Sequence, residues 1–155
     1  SGTVTGALEV SGTLTGPTIT GKPRGHLAYL ERTTTLAAST AQLTDADLVR
    51  TITIPSNLGS RRIEVQLEIE LLSAVAGASY IGIWRNGVQS RTISSLTVGG
   101  ANTIPLSCSK QFTEVANAVV TYQVRVGPSA TGSSQGIYAT ADRPAIMRII
   151  DSGDA

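Results

Sequence analysis

Arg62-Ile63-Glu64-Val65-Gln66-Leu67-Glu68-Ile69-Glu70-Leu71-Leu72 is the stretch on which the fold turns. Its aliphatics fall at every second position, and side chains two apart share one face of a pleated strand, whereas a helix needs apolar residues three and four apart. One face therefore belongs to a core and the other is acidic. Working outward, the same reading predicts strands over 27–32, 48–54, 79–85, 88–96, 102–107, 117–126, 136–140 and 144–150. Between two of them stands Arg85-Asn86-Gly87-Val88, the strongest hairpin signal in the chain, because a type I′ turn needs positive φ at both central residues and Asn-Gly tolerates it. A regular hairpin register sets Trp84 opposite Gln89 and diagonal to Arg91, and Tyr80 opposite Ile93, with Ile81 and Ile83 on the other face. Residues 33–47 read as a long connection, since three leading Thr and scattered Ser oppose a helix. Residues 127–136 read as a mobile Gly/Ser loop.

Composition agrees with this pattern. The 155 residues include 20 Thr, 16 Ser and 16 Gly but only 2 Lys, and charged residues make up 15%. Thr and the β-branched aliphatics fit a pleated surface, and Gly and Ser supply the turns between strands. Eight or nine short strands without helices predict an all-β fold, a jelly-roll-like antiparallel β-sandwich occupying 26–155.

Several function classes fall away. Twelve Lys and Arg against eleven Asp and Glu give a net charge of +1, so nothing supplies the phosphate attraction on which nucleic-acid binding rests. No apolar run approaches the roughly 20 residues of a membrane-spanning helix, and the reading is a chain without membrane insertion. Cys108 is the single cysteine and His26 the single histidine, which excludes an intrachain disulfide, a Cys-based zinc site and a His-pair metal centre. A Ser–His–acid triad would have to use His26, and no Gly-x-Ser-x-Gly elbow accompanies it. Glu64, Glu68 and Glu70 stand about 7 Å apart in steps along one strand face, a spacing compatible with a glycosidase pair, yet nothing in the sequence offers the apolar pocket that raises one carboxyl's pKa. They read more simply as a solvated or subunit-facing row. Asp45 and Asp47 resemble the start of a calcium loop whose later ligands are missing. The expectation is therefore a non-enzymatic protein with no catalytic residue, no metal and no cofactor. One possible ligand face remains: Trp84, Gln89 and Arg91, an aromatic with a cation and an amide suited to a sugar.

Residues 1–25 differ from the rest. Thr3-Val4-Thr5-Gly6, Glu9-Val10-Ser11-Gly12, Thr13-Leu14-Thr15-Gly16 and Thr18-Ile19-Thr20-Gly21 repeat a unit of polar, aliphatic, hydroxyl and glycine. Units this short cannot close a core of their own, so Val4, Leu8, Val10, Leu14 and Ile19 are expected at an oligomer interface. The closing strand adds Ile146, Arg148 and Ile150, which alternate with Ala145, Met147 and Ile149; both of its faces are largely apolar, and one of them requires a neighbour.

Such a repeat, running through Pro23-Arg24-Gly25 into a compact β domain that holds the Asn86-Gly87 hairpin and the closing Arg143-to-Asp151 strand, resembles the fibre, spike, minor tail and head-decoration proteins of tailed bacteriophages. The resemblance implies a homotrimer, a stem over 1–25 that attaches to other virion proteins, and a jelly-roll head that faces outward in a virion assembled in the host cytoplasm. It implies no catalytic residue. A receptor-binding tip that recognises host surface carbohydrate is the alternative expectation.

Overall fold

The computed structural model describes residues 25–40, 44–75, 77–98, 102–128 and 134–155, with the side chains of 44–45, 78–79 and 90–98 left aside. Val4, Leu8, Val10, Leu14 and Ile19 lie outside the described residues. Ten strands follow in order: β1 (Gly25–Arg32), β2 (Leu36–Ser39), β3 (Thr44–Thr53), β4 (Arg61–Val75), β5 (Gly77–Arg85), β6 (Val88–Val98), β7 (Asn102–Glu114), β8 (Val119–Pro128), β9 (Ser134–Tyr138) and β10 (Ala145–Asp154). No helix occurs among the described residues. The fold is an all-β antiparallel sandwich of the jelly-roll-like kind.

The larger sheet is organised by β4. Along one edge β4 pairs with β7, from Arg61 opposite Glu114 to Ser73 opposite Asn102. Its other edge is shared in line by β10, over Arg61 to Glu68, and β9, over Glu70 to Val75. β1 extends this sheet beyond β10 and β2 extends it beyond β9, while the second sheet runs β3-β8-β5-β6. Between the two sheets lie Ile63, Val65, Leu67 and Leu71 of β4, Met147 and Ile149 of β10, Ile81 and Ile83 of β5, and Val120, Val124 and Val126 of β8, all buried. The alternation that decided the fold is thus the inward row of the central strand. Tyr122 joins them and packs on Phe112 with ring centroids 5.1 Å apart.

Three expectations need correction. The supposed connection over 33–47 contains β2 and the start of β3. There β3 carries an irregularity between Asp45 and Val49, four residues facing two of β8, and Asp47 turns into positive φ at 57° so that both Ala46 and Leu48 reach the core. A bulge of that kind erases the period-two signal. The supposed loop over 127–136 includes the end of β8 and all but two residues of β9; Ser134, Gln135 and Gly136 are buried. Lastly, the hairpin turn is as expected, with φ of 49° at Asn86 and 78° at Gly87, and Trp84 does face Gln89. Beyond it one extra residue in β6 shifts the register: Ile83 pairs with Arg91, and Ile81 rather than Tyr80 pairs with Ile93.

Candidate functional site

The outer face of the larger sheet gathers most of the residues singled out from the sequence. Residues paired across an antiparallel ladder share a face, so the register sets Ile146 between Glu31 of β1 and Glu68 of β4, Arg148 between Tyr29 and Gln66, and Ile150 between His26 and Glu64. Ala145, Met147 and Ile149 on the opposite face are fully buried, whereas Ile146, Arg148 and Ile150 are half-buried. The expected two-faced character of β10 is present, with the outer row partly open.

The row Glu64, Gln66, Glu68 and Glu70 is less acidic in effect than in sequence, because distant strands bring arginines to it. The guanidinium of Arg148 donates to both oxygens of Glu68 and lies 5.7 Å from the Tyr29 ring centroid. Arg143 donates to Glu70 and lies 5.7 Å from the Tyr138 ring centroid. Gln66 donates to Glu64 over 3.1 Å. Arg143 is delivered by the segment that interrupts the line from β9 to β10, where Thr140 and Arg143 exchange backbone hydrogen bonds of 3.1 and 3.2 Å. Beside this segment an open groove of about 410 Å³ is lined by Glu68, Glu70, Pro105, Ser107, Arg143 and Pro144. One oxygen of Glu70, Oε2, is buried without a hydrogen-bond partner.

This arrangement bears on chemistry. A retaining or inverting glycosidase pair needs one carboxyl to deliver a proton and the other to attack or activate water. Glu68 and Glu70 instead each hold a guanidinium. Buried ionic groups elsewhere tie strands together: Arg85 donates to Glu114 Oε1 and Oε2 over 2.6 Å each, and the Tyr122 hydroxyl donates to Oε1 over 2.8 Å. Burial pushes the Glu114 carboxyl up, but the hydrogen bonds from Arg85 and Tyr122, together with the Arg85 charge, outweigh it and hold Glu114 below the usual carboxylate value. Tyr122 is pushed far up, first by burial and then by its bond to Glu114. At the foot of β4, Arg61 is fully buried and forks onto Asp151. Its hydrogen bond to Asp151 raises the Arg61 pKa against the opposing effect of burial.

The second candidate face lies on the smaller sheet. Trp84 is half-buried there, and the guanidinium of Arg125 from β8 sits 4.5 Å from the centroid of its ring. Arg125 rather than Arg91 is its cation partner; by backbone register Arg91 is aligned with Ile83, and its side chain lies outside the described residues. Arg125 also donates to Gln123 over 3.3 Å. No spacing in the sequence links Trp84 with Arg125, because β8 reaches β5 from more than thirty residues downstream. The remaining candidates are placed simply. His26 is exposed, Cys108 is half-buried against the core, and Asp47 is exposed and paired with Arg32. Among the described residues no three His, Cys, Asp or Glu side chains come together as a metal site.

No family model and no curated protein matches the chain. Among solved structures, dimeric latent PorU from Porphyromonas gingivalis is similar over 89% of this chain and 14% of that one, at 12% identity and a TM-score of 0.42. A likeness so slight carries no argument about function.

Proposed function

We propose that this chain is a non-enzymatic structural component of a bacteriophage virion, a homotrimeric fibre, spike or decoration protein whose sandwich is the head and whose residues 1–25 form the stem. One observation supports the assembly reading best. The outer face of the larger sheet is nearly neutralised within itself, with Glu68 and Glu70 each held by an arginine, while Ile146 and Ile150 stand half open between the charged positions. The cores of protein interfaces are poor in unpaired charge and rich in such side chains. The partners on this reading are two further copies and other virion proteins that receive the stem, with neither nucleic acid nor membrane involved.

Light scattering of the full chain at micromolar concentration tests the assembly: three times the 16.0 kDa chain mass is expected, and a single-chain mass refutes it. Antibody labelling of intact particles tests the virion assignment; unlabelled particles refute it. The receptor-binding alternative draws on Trp84 and Gln89, and Arg125 already occupies one side of the indole. A sugar would have to stack on the other side or displace that guanidinium.

A further inference from the structure

The edge of the larger sheet formed by β7 is built to accept one more strand. Among the described residues β7 pairs only with β4, and proline within a sheet sits where its missing N–H would face away from the partner strand. Pro105 therefore marks the odd-numbered residues of β7 as those whose backbone groups point outward from the edge. Thr103 agrees, since its N–H is taken by the side-chain oxygen of its neighbour Asn102 over 2.8 Å rather than by β4. Beyond these two blunted positions run Ser107, Ser109, Gln111 and Thr113, four outward donors in succession uninterrupted by proline. The side chains repeat the theme. Those of the odd row are exposed, while Leu106, Cys108, Lys110 and Phe112 on the inward row are only half-buried, because no described strand covers them at this margin.

The chain carries a segment of matching pattern. Over residues 3–16 the even positions hold Val4, Leu8, Val10 and Leu14 with glycine at 6, 12 and 16, and the odd positions hold only Thr, Ser, Ala or Glu. That is a strict period of two, apolar on one side and polar on the other, over a length matching the 13 residues of β7. Added beside β7, such a strand would continue the inward apolar row with its even side chains and the outer hydroxyl row with its odd ones.

We infer that residues 7–14 of a neighbouring copy add as a strand to the β7 edge over Ser107 to Thr113. The inference rests on the trimer reading above and names its contact. The placement of Gly25 argues for a neighbour. The segment enters the sheet at β1, and β1 and β7 are opposite edges, Gly25 being joined to Phe112 through Asp151 and Ile63. At about 4.8 Å per strand the added position lies roughly 19 Å from Gly25 in the plane of the sheet. The direct way round the sheet end passes 152–155 and 54–60, which are joined there by the bond from Ala155 N to Ser60 O. A strand that leaves one edge and fits the opposite edge links copies head to tail, and such heterologous contacts close into rings. Pro105 and the inward-pointing Lys110 protect the same edge from indiscriminate pairing.

Amide exchange and light scattering on the full chain test this together. In the unaltered protein the amides of Ser107, Ser109, Gln111 and Thr113 are expected to exchange at least a hundredfold more slowly than in an unstructured chain, and the particle to have three times the chain mass. Val10→Asp, remote from the head's core, and Ser109→Pro, a change that the neighbouring Pro105 shows an odd position of β7 can accept, should each lower the mass; Val10→Asp should also release those four amides at least tenfold. A trimer with unprotected β7 amides overturns the strand contact and leaves the trimer standing. A single-chain mass with protected amides means that the segment docks on its own head and overturns the exchange between copies; a single-chain mass with free amides overturns both. If Val10→Asp changes neither mass nor exchange, the inference is equally wrong.

Discussion

Replacing Asp151 by Ala should be among the most damaging single changes in the head. Asp151 Oδ2 accepts from Arg61 Nε and Oδ1 from Arg61 Nη2, both at 2.9 Å, in the bidentate geometry that suits a guanidinium, and Oδ1 also accepts from Gly153 N at 2.9 Å. Arg61 has no exposed surface and Asp151 only 4%. Removing the carboxylate leaves Asp154, itself 44% exposed, as the remaining carboxylate on a buried guanidinium. Breaking a buried pair from one side costs about 3–5 kcal/mol, chiefly for the charge left behind. Domains of this size have total stabilities of about 5–15 kcal/mol. With a urea slope of about 2 kcal/mol/M, the unfolding midpoint should fall by about 2 M at fixed protein concentration. A double variant, Arg61→Met with Asp151→Leu, removes both charges and replaces them with apolar volume, and should recover most of that loss. A shift below about 0.5 M for Asp151→Ala, or a double variant as damaged as the single one, would refute the account of Arg61 as a buried charge that depends on its partner.

Other perturbations read other parts of the fold. Glu114 is held below its unfolded value, so the stability it contributes is present above about pH 4.3 and is lost as pH falls through the lower folded value; Glu114→Gln should flatten that part of an acid denaturation series. Tyr122 is raised instead, so its contribution is present below about pH 10 and lost as pH rises beyond it; Tyr122→Phe should remove this alkaline slope. At Gly136 a methyl group would meet the backbone oxygen of Leu36 at 2.2 Å, so Gly136→Ala should detach β2, seen as faster amide exchange over 36–39 with the β4 amides unchanged. Ile146→Asp sets a third carboxylate between Glu31 and Glu68 and should abolish the trimer by light scattering, whereas Ile146→Val should keep it. By contrast Glu68→Gln breaks an exposed pair, costs at most about 1 kcal/mol, and should hardly move the urea midpoint.

Legibility in the sequence followed regularity of the backbone. β4 could be read residue by residue because its inward row never breaks, and Asn86-Gly87 could be read because the required φ values admit few other residues. β2 was invisible, being four residues of Leu-Ala-Ala-Ser with no room for a period to show. The far half of β7 was invisible for another reason: Lys110 stands on its inward row, which the margin of the sandwich permits because that row is not sealed from water. In β3 and β6 the strands themselves were foreseen, but bulges displaced what followed. One extra residue in β6 is enough to move Ile93 from Tyr80 to Ile81.

The candidate sites were harder to read because ionic partners are chosen by topology, not by spacing. Glu68 meets Arg148 and Glu70 meets Arg143 across more than seventy residues, and Trp84 meets Arg125 through a third strand. A chain with twelve cations and eleven anions can leave its acidic row acidic or cancel it, and only the order of the strands decides which. Here β10 lies beside β4 and the preceding turn folds Arg143 over the same face. That placement converts a row resembling paired catalytic carboxylates into a face of cancelled charges with isoleucines between them. Reversing one cation isolates the effect: Arg148→Glu would set like charges against Glu68 and beside Glu31 while leaving the core row of β10 untouched. Repulsion at an exposed pair of this kind is worth only about 1 kcal/mol to the head itself, so the head should stay folded by urea titration. If this face joins copies, however, the same substitution buries uncancelled charge in every contact, and the trimer mass should disappear at micromolar concentration. A trimer that survives Arg148→Glu would place the contact elsewhere on the head or in the stem alone.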